Sequence, residues 1–445
     1  MPASPARAAA AEDRRRSRDL ARLILVVVVA AVAALAIPSA DVRLYEHYAT
    51  QMVHGSLVHG LPREYPALAG FVFVAALVPP VPYALAVALL MAAALVALVV
   101  AGRRLAPDVD WTRRLLWYLG LATVSLLFAR YDLLPALAAF LAVMWARDGR
   151  WGRAWVAAGA GAALQLFPAL LLPGFFLLEW RRTGRAPWRK PVLACVVTAA
   201  TAALQTLIAP GSFLDPIRYE LRRGFELASV PGSITAVIDP AHLRWAFAYG
   251  NREILGTGHS EIQVAITIVE LCALAAVWLA AWRGRFGVEA TSLAVLSVAV
   301  LCDSALAPQY LIWLAPLWAL WPLRRSWVVA AVLTALTFPI AYSLEPYFGS
   351  FLAATLLALA RNAVLIAGTV AWAHDQIRAK DEAAAHRQSR TSTSMPPLGI
   401  MYGASGHADH SRRGFMMDSA TPTPAGDQSG NGDQGVLPAS LEVLP

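Results

Sequence analysis

Apolar runs of membrane-spanning length recur from residue 21 to residue 374, separated by short polar or arginine-bearing connections. A helix needs roughly 20 apolar residues to cross a bilayer core, and no soluble core absorbs so many consecutive runs. The pattern predicts an all-α, polytopic transmembrane helical protein with about 11–12 membrane segments. The first run, 21 to 38, follows a basic arm over 1–20 that carries Arg14, Arg15, Arg16 and Arg18. That order is also the order of a signal peptide. The flank lacks a small-x-small cleavage site and many spans follow, so the run reads as a retained first helix. From 375 to 445 the chain is rich in Ser, Thr, Gly, Pro, Asp and His without apolar periodicity, which predicts a disordered tail.

Arginine clusters orient the spans, because basic residues stay on the cytoplasmic side. With the N-terminus inside, Asp41 and a loop over 39–64 fall outside. Prolines 79, 80 and 82 divide the next stretch into an interfacial or re-entrant helix at 66–78 and a full span at 81–102. Arg103, Arg104, Arg113 and Arg114 are then inside. Short spans at 114–129 and 133–146 flank an outer turn, Arg130-Tyr131-Asp132. The stretch 154–179 lies between two inside clusters and must cross an even number of times, so it reads as a hairpin broken at Gln165-Leu166-Phe167-Pro168 with its apex outward. After a span at 191–209, residues 210–261 form a long outer loop. Spans at 262–282, 288–306, 309–323, 326–344 and 350–374 complete a membrane part over 21–374, with both termini cytoplasmic in a multi-pass cell-membrane protein.

Composition narrows the function. Hydrophobic residues make up 58% of the 445 and charged residues 15%, and the mean hydropathy is +0.54. The net charge of +8 is arginine-borne, since Lys190 and Lys380 are the only lysines. These arginines sit beside apolar segments as topology signals, which excludes a nucleic-acid partner. Cys195, Cys272 and Cys302 fall within apolar segments without C-x-x-C spacing and read as structural thiols. No P-loop, H-E-x-x-H or G-x-S-x-G occurs.

The predicted outer face collects Asp41, Tyr45, Glu46, His54, His59, Arg63, Glu64, Arg130, Asp132, Gln165, Arg223, Glu226, His259, Asp303 and Gln309 from separate connections. Convergence at the ends of short or broken helices points to a site, with ordinary loop solvation as the bland alternative. Asp41 comes directly after the first helix, where partial desolvation suits a general base acting on a hydroxyl. The alternative is an interfacial aspartate held by a nearby arginine. Arg130 and Asp132 bind phosphate and orient an acceptor, or form an ion pair that fixes two short helices. The stretch Arg218 to Glu226 places several charges in an outer loop, where recognition of an anionic phosphate or a sugar would explain them. His47, His54 and His59 match no familiar metal-ligand spacing. Asp108-Val109-Asp110 resembles a nucleotide-sugar D-x-D signature by chance, because its cytoplasmic loop has no soluble domain to hold a nucleotide.

Read in order, several motifs resemble glycosyltransferase family 87, the actinobacterial polyprenyl-phosphate-mannose-dependent alpha-mannosyltransferases of the GT-C superfamily. They are Asp41 with Tyr45; Arg63-Glu64-Tyr65-Pro66; Arg130-Tyr131-Asp132-Leu133-Leu134-Pro135; Gly161 to Pro168; Arg218-Tyr219 through Arg223-Gly224 and Glu226; Ala307-Pro308-Gln309-Tyr310 to Leu314; and Arg361-Asn362. The resemblance runs from about residue 20 to residue 374. It implies a GT-C-like transferase domain in the membrane, a lipid-linked mannose donor, an outer-face site and Asp41 as general base. Tyr45, Arg63, Glu64, Tyr65, Arg130, Asp132, Gln165, Arg223, Glu226, Gln309 and Tyr310 are the implied substrate-binding set. It assigns no metal ligand, names no certain cofactor beyond polyprenyl-phosphate-mannose as donor substrate, and leaves a divalent cation open. The implied partners are membrane lipid, the sugar donor and a glycolipid or glycan acceptor. Gln165 stands where a lysine is expected in many members, and Ala67 follows Pro66 where a second proline is common. A transporter or flippase for a lipid-linked or anionic substrate is the competing reading, and a non-catalytic relative is a third. Charges near the midplane would mark a transport pathway, whereas those noted above gather at one face.

Overall fold

Lipid offers the backbone no hydrogen-bond partners, so crossing segments must close their bonds internally as helices. The computed structural model describes residues 5–36, 39–107, 109–238, 244–248, 251–255, 259–341 and 352–393. It has two compact units, Met1–Arg390 and Thr391–Pro445. Of the second, residues 391–393 are described, as helix, and everything below concerns the first.

Helix α1 (Pro5–Ala36) joins the basic arm to the first apolar run without a break. The expected loop 39–64 is largely helical, as α2 (Ala40–His54) and α3 (Leu57–Gly60). The short α4 (Ala67–Ala75) precedes the proline break, and α5 (Tyr83–Leu105) is a full span. Helix α6 (Trp111–Ala122) is shorter than the predicted 114–129. Both the amide and the hydroxyl of Thr123 return to the Leu119 carbonyl, and turns then carry the chain to Arg130. Helices α7 (Leu133–Arg147), α8 (Trp151–Leu164) and α9 (Leu171–Thr183) follow, with a 3-10 turn at Phe167–Leu170 that makes the expected broken hairpin.

After α10 (Lys190–Ile208), the long connection holds α11 (Asp215–Arg222), β1 (Phe225–Glu226), α12 (Val230–Ile238), β2 (Arg244–Ala248) and β3 (Asn251–Leu255). The strands form a small antiparallel sheet in the order β1-β3-β2, with Phe225 opposite Ile254 and Glu226 opposite Glu253. The apolar pattern gave no sign of this sheet in an otherwise all-α fold. Helices α13 (His259–Trp282), α14 (Val288–Cys302), α15 (Tyr310–Trp318), α16 (Arg325–Ala335) and α17 (Leu352–Thr393) finish the bundle.

Among the described residues, five helical stretches are long and apolar enough to cross a membrane alone: Ser17–Ala36, Tyr83–Leu105, Lys190–Ile208, Glu261–Trp282 and Leu352–His386. The protein is an all-α polytopic membrane protein. The 12 residues of α6 rise only about 18 Å, so its polar turn is held near the membrane boundary. Helices α1, α10 and α13 bury little of their surface and face lipid, whereas α5 and α17 pack inward. Close approach is made by small residues, as is usual where lipid supplies no hydrophobic drive. A Cβ on Gly159 would come within 2.6 Å of the Ala194 carbonyl oxygen on α10.

The expected disordered tail is corrected over its first part. Helix α17 runs through residue 374 to Thr393. The segment after 374 is rich in Ala, Arg and Gln, good helix formers that extend an already nucleated helix. It is also tied down, by an Arg324–Asp375 ion pair and a bond from Trp321 Nε1 to Gln376 Oε1 at 3.2 Å. Residues 394–445 of the predicted tail lie outside the described residues.

Candidate active site

Helix ends and breaks at one end of the bundle surround a cavity of about 610 Å³, within the size range of small-ligand pockets. Of the residues expected to form a site, Asp41, Glu64, Tyr65, Arg130, Asp132, Gln165, Arg223, Gln309 and Tyr310 line it. Tyr45, Arg63 and Glu226 do not.

Asp41 lies in the first turn of α2, where the helix dipole favours a negative charge. Its Oδ2 meets Arg130 Nη2 at 2.8 Å, with both side chains mostly buried. Arg130 therefore pairs across the connection with Asp41, rather than fixing its neighbour Asp132. Its Nε has no hydrogen-bond partner among the described residues, so part of the guanidinium is available to an anion. Asp132 stands at the N-cap of α7, with Pro135 in the first turn, where a missing amide proton is harmless. Its Oδ1 accepts from Trp313 Nε1 at 2.7 Å and from Gln165 Nε2 at 3.4 Å. Burial pushes the Asp132 carboxyl above its ordinary range, against Arg130 and these two donors.

Gln165 is placed by the end of α8, where it leaves the helix in an extended conformation. The next turn carries Phe167, which stacks on Trp313 at 4.2 Å, and Trp313 stacks in turn on Tyr310 at 4.1 Å. This three-ring floor joins Asp132 to a second polar cluster. There Arg223 Nη1 binds Glu220 Oε2 at 3.1 Å, and Asp303 and Tyr310 are close enough to act on Arg223 electrostatically. Asp303 follows the last turn of α14 and accepts from the Ala305 amide at 3.1 Å, the local turn bond characteristic of aspartate. Burial first, then Glu220, pushes its carboxyl up to about 7.

The cavity lining also includes the apolar Leu166, Leu170, Leu296, Ala299 and Val300, and Glu270 of α13. Tyr219, Glu220, Glu270, Asp303 and Trp313 line the cavity but were not in the expected binding set. For Glu270 the signal was present, because an acidic residue within a span is a functional candidate by default. Trp313 lies within the Ala307-to-Leu314 motif, but its bond to Asp132 and its stacking on Phe167 depend on segments far away in the chain.

The residues outside the cavity have structural positions. Tyr45 is fully buried behind the wall, stacked on Phe73 at 4.2 Å and edge-on to Tyr65 and Tyr131. Arg63 is exposed. Glu226 is buried in β1, where its amide donates to the Ser304 carbonyl at 2.8 Å and burial raises its carboxyl. Arg361 of α17 anchors this wall from inside the bundle. Its Nη1 donates to the Leu306 carbonyl at 3.1 Å, its Nη2 donates to the Ala228 carbonyl, and Asn362 Nδ2 reaches Ser233 Oγ at 2.9 Å. The segments that deliver Arg223 and Asp303 are thereby fixed to one helix.

Among the described residues, no three His, Cys, Asp or Glu side chains gather as a metal-holding group. Asp108 of the D-x-D lies outside the described residues, and Asp110 pairs with Arg113 at the start of α6. The three cysteines are free thiols, and Cys302 lines the cavity.

Residues 65–308 match the family model described as glycosyltransferase family 87. The match takes in Arg130, Asp132, Gln165 and Arg223, and Asp41 precedes it. Among solved structures, the chain is similar to ArnT from Cupriavidus metallidurans bound to undecaprenyl phosphate, with 17% identity and a TM-score of 0.39 over 86% of this chain and 82% of that one. No curated protein matches the chain.

Proposed function

The chain belongs to glycosyltransferase family 87, and from that premise we propose that it moves mannose, or a related sugar, from a polyprenyl phosphate to an extracytoplasmic glycolipid or glycan, with inversion and with Asp41 as general base. The observation that carries this reading is the Asp41–Arg130 pair at 2.8 Å on the wall of a cavity whose lining is both polar and apolar. A donor that is sugar phosphate at one end and hydrocarbon at the other matches that division. Leu166, Leu170, Leu296 and Val300 would take the first isoprene units.

In the proposed step, the acceptor hydroxyl gives its proton to Asp41 while its oxygen bonds to the anomeric carbon. The bond from that carbon to the phosphate oxygen breaks, and its electron pair leaves with the phosphate. A phosphate is a stable anion and needs no strong general acid, unlike the leaving group in glycoside hydrolysis. It needs cationic contacts, and Arg130 supplies them through its free Nε edge. Asp132, held by Trp313 and Gln165, adds a second negative group close enough to act on Arg130 electrostatically. A flippase would need a polar route through the bilayer, whereas the charged groups on this cavity cluster at one end, with Glu270 the exception.

Asp41→Asn preserves shape but removes the proton acceptor. Transfer from labelled polyprenyl-phosphate-mannose to a lipid acceptor extract should fall by about 10²–10⁴-fold, in protein that still melts cooperatively in detergent but at a lower midpoint, because Arg130 loses its ion-pair partner. Full activity in this variant would exclude the proposed base.

A further inference from the structure

The second polar cluster of the cavity has no part in the step described above. We propose that the wall formed by Glu220, Arg223, Asp303 and Gln309 is the acceptor subsite, and that it takes neutral sugar hydroxyls and rejects phosphate. The inference rests on the transferase reading and assigns the second substrate to its own residues.

Charge sets the chemical class. At this wall two carboxylates, Glu220 and Asp303, face a single guanidinium, and Arg223 is already bonded to Glu220 at 3.1 Å. An entering phosphate would meet more negative than positive charge in a partly desolvated space. A sugar hydroxyl meets hydrogen-bond acceptors, and each carboxylate oxygen can receive more than one donor.

Gln309 points to a missing ligand. Its side chain is 6% exposed and lines the cavity, yet its Oε1 has no hydrogen-bond partner among the described residues. A buried amide oxygen left unpaired is costly and needs an explanation, and a bound hydroxyl would supply the donor.

The wall is also built for precision. Arg361 holds the Leu306 carbonyl, Asn362 holds Ser233, and the Glu226 amide holds Ser304. Both chain segments of the subsite are therefore fixed before any substrate arrives. The Tyr310–Trp313 stack, with Trp313 bonded to Asp132, sets the distance from this wall to the Asp41 end. That connection gives the two substrates a common floor.

The test is binding without turnover. Octyl α-D-mannoside and farnesyl phosphate are titrated separately into the purified full chain and into Asp303→Asn, Gln309→Ala and Glu220→Gln, with heat or thermal shift as readout. Asp303→Asn and Gln309→Ala should weaken the mannoside at least about tenfold and leave farnesyl phosphate affinity within about twofold. Glu220 is 40% exposed, so Glu220→Gln keeps the test decisive if a more buried variant fails to fold. Wild-type affinity for the mannoside in the folded variants, no mannoside binding by the wild type, or an equal loss of both ligands would each overturn the assignment. Because no donor sugar is present, absence of transfer activity leaves this result readable and counts only against the catalytic reading.

Discussion

Asp303 is the carboxylate whose ionisation the fold resists most visibly, moved from an ordinary value of 3.8 to about 7 by burial and by Glu220. Between those values the folded protein holds a proton that the unfolded chain has lost. Its contribution to stability is therefore complete below about pH 4 and disappears as the pH rises through about 7. Melting midpoints in detergent should fall from pH 5 to pH 8, and Asp303→Asn should flatten that slope while impairing acceptor binding; an unaltered slope in the variant would remove Asp303 as its cause. Such opposition between stability and function is expected where a site holds an uncompensated polar group. Asp41 sits differently, paired with Arg130 at 2.8 Å, so its replacement should cost stability as well as chemistry.

Two contacts between elements can be tested separately. On α5, a Cβ at Gly102 would fall 2.1 Å from the ring of Trp111, and that ring is pinned because its Nε1 donates to the Pro316 carbonyl at 2.8 Å. Gly102→Val should destabilise by about 1–3 kcal/mol, the usual range for overpacking, as a lowered melting midpoint would show. On α17, Arg361→Leu removes the donors to the carbonyls of Ala228 and Leu306. The Leu306 carbonyl left alone costs about 1–3 kcal/mol, Ala228 keeps only the Asn362 amide at 3.2 Å, and the segments carrying Arg223 and Asp303 lose Arg361 as their common anchor. Melting and transfer should both fall, with partial recovery in Arg361→Lys; wild-type transfer in the leucine variant would show that the anchor is dispensable. Arg361-Asn362 stood out in the sequence as a polar pair in the last apolar run, but what it holds lies 55 residues away at Leu306 and 129 and 133 away at Ser233 and Ala228.

For the whole molecule, the charge pattern predicts that the cavity faces away from the cytoplasm. In a cysteine-free background, Phe213→Cys, near the cavity end and 44% exposed, should react with an impermeant maleimide on intact cells. Arg185→Cys, in the arginine-rich loop after α9, should react only after permeabilisation. The reverse pattern would invert the topology and place transfer inside.

The sequence by itself determined the all-α membrane class, the proline and Gln165-to-Pro168 breaks and the gathering of polar residues between apolar runs, because hydrocarbon admits only apolar helices and forces charge to their ends. It also determined the family, through short motifs kept in order. Tertiary structure decided which of those polar residues share a cavity. Tyr45 and Glu226 carry the same motif signal as Tyr65 and Arg223, yet packing on Phe73 and pairing in the small sheet turn them behind the wall. It likewise decided that Arg130 answers Asp41 and that Trp313 bridges the two clusters. Those partners come from segments far apart in the chain, and hydropathy and spacing carry no information about which distant side chains will meet.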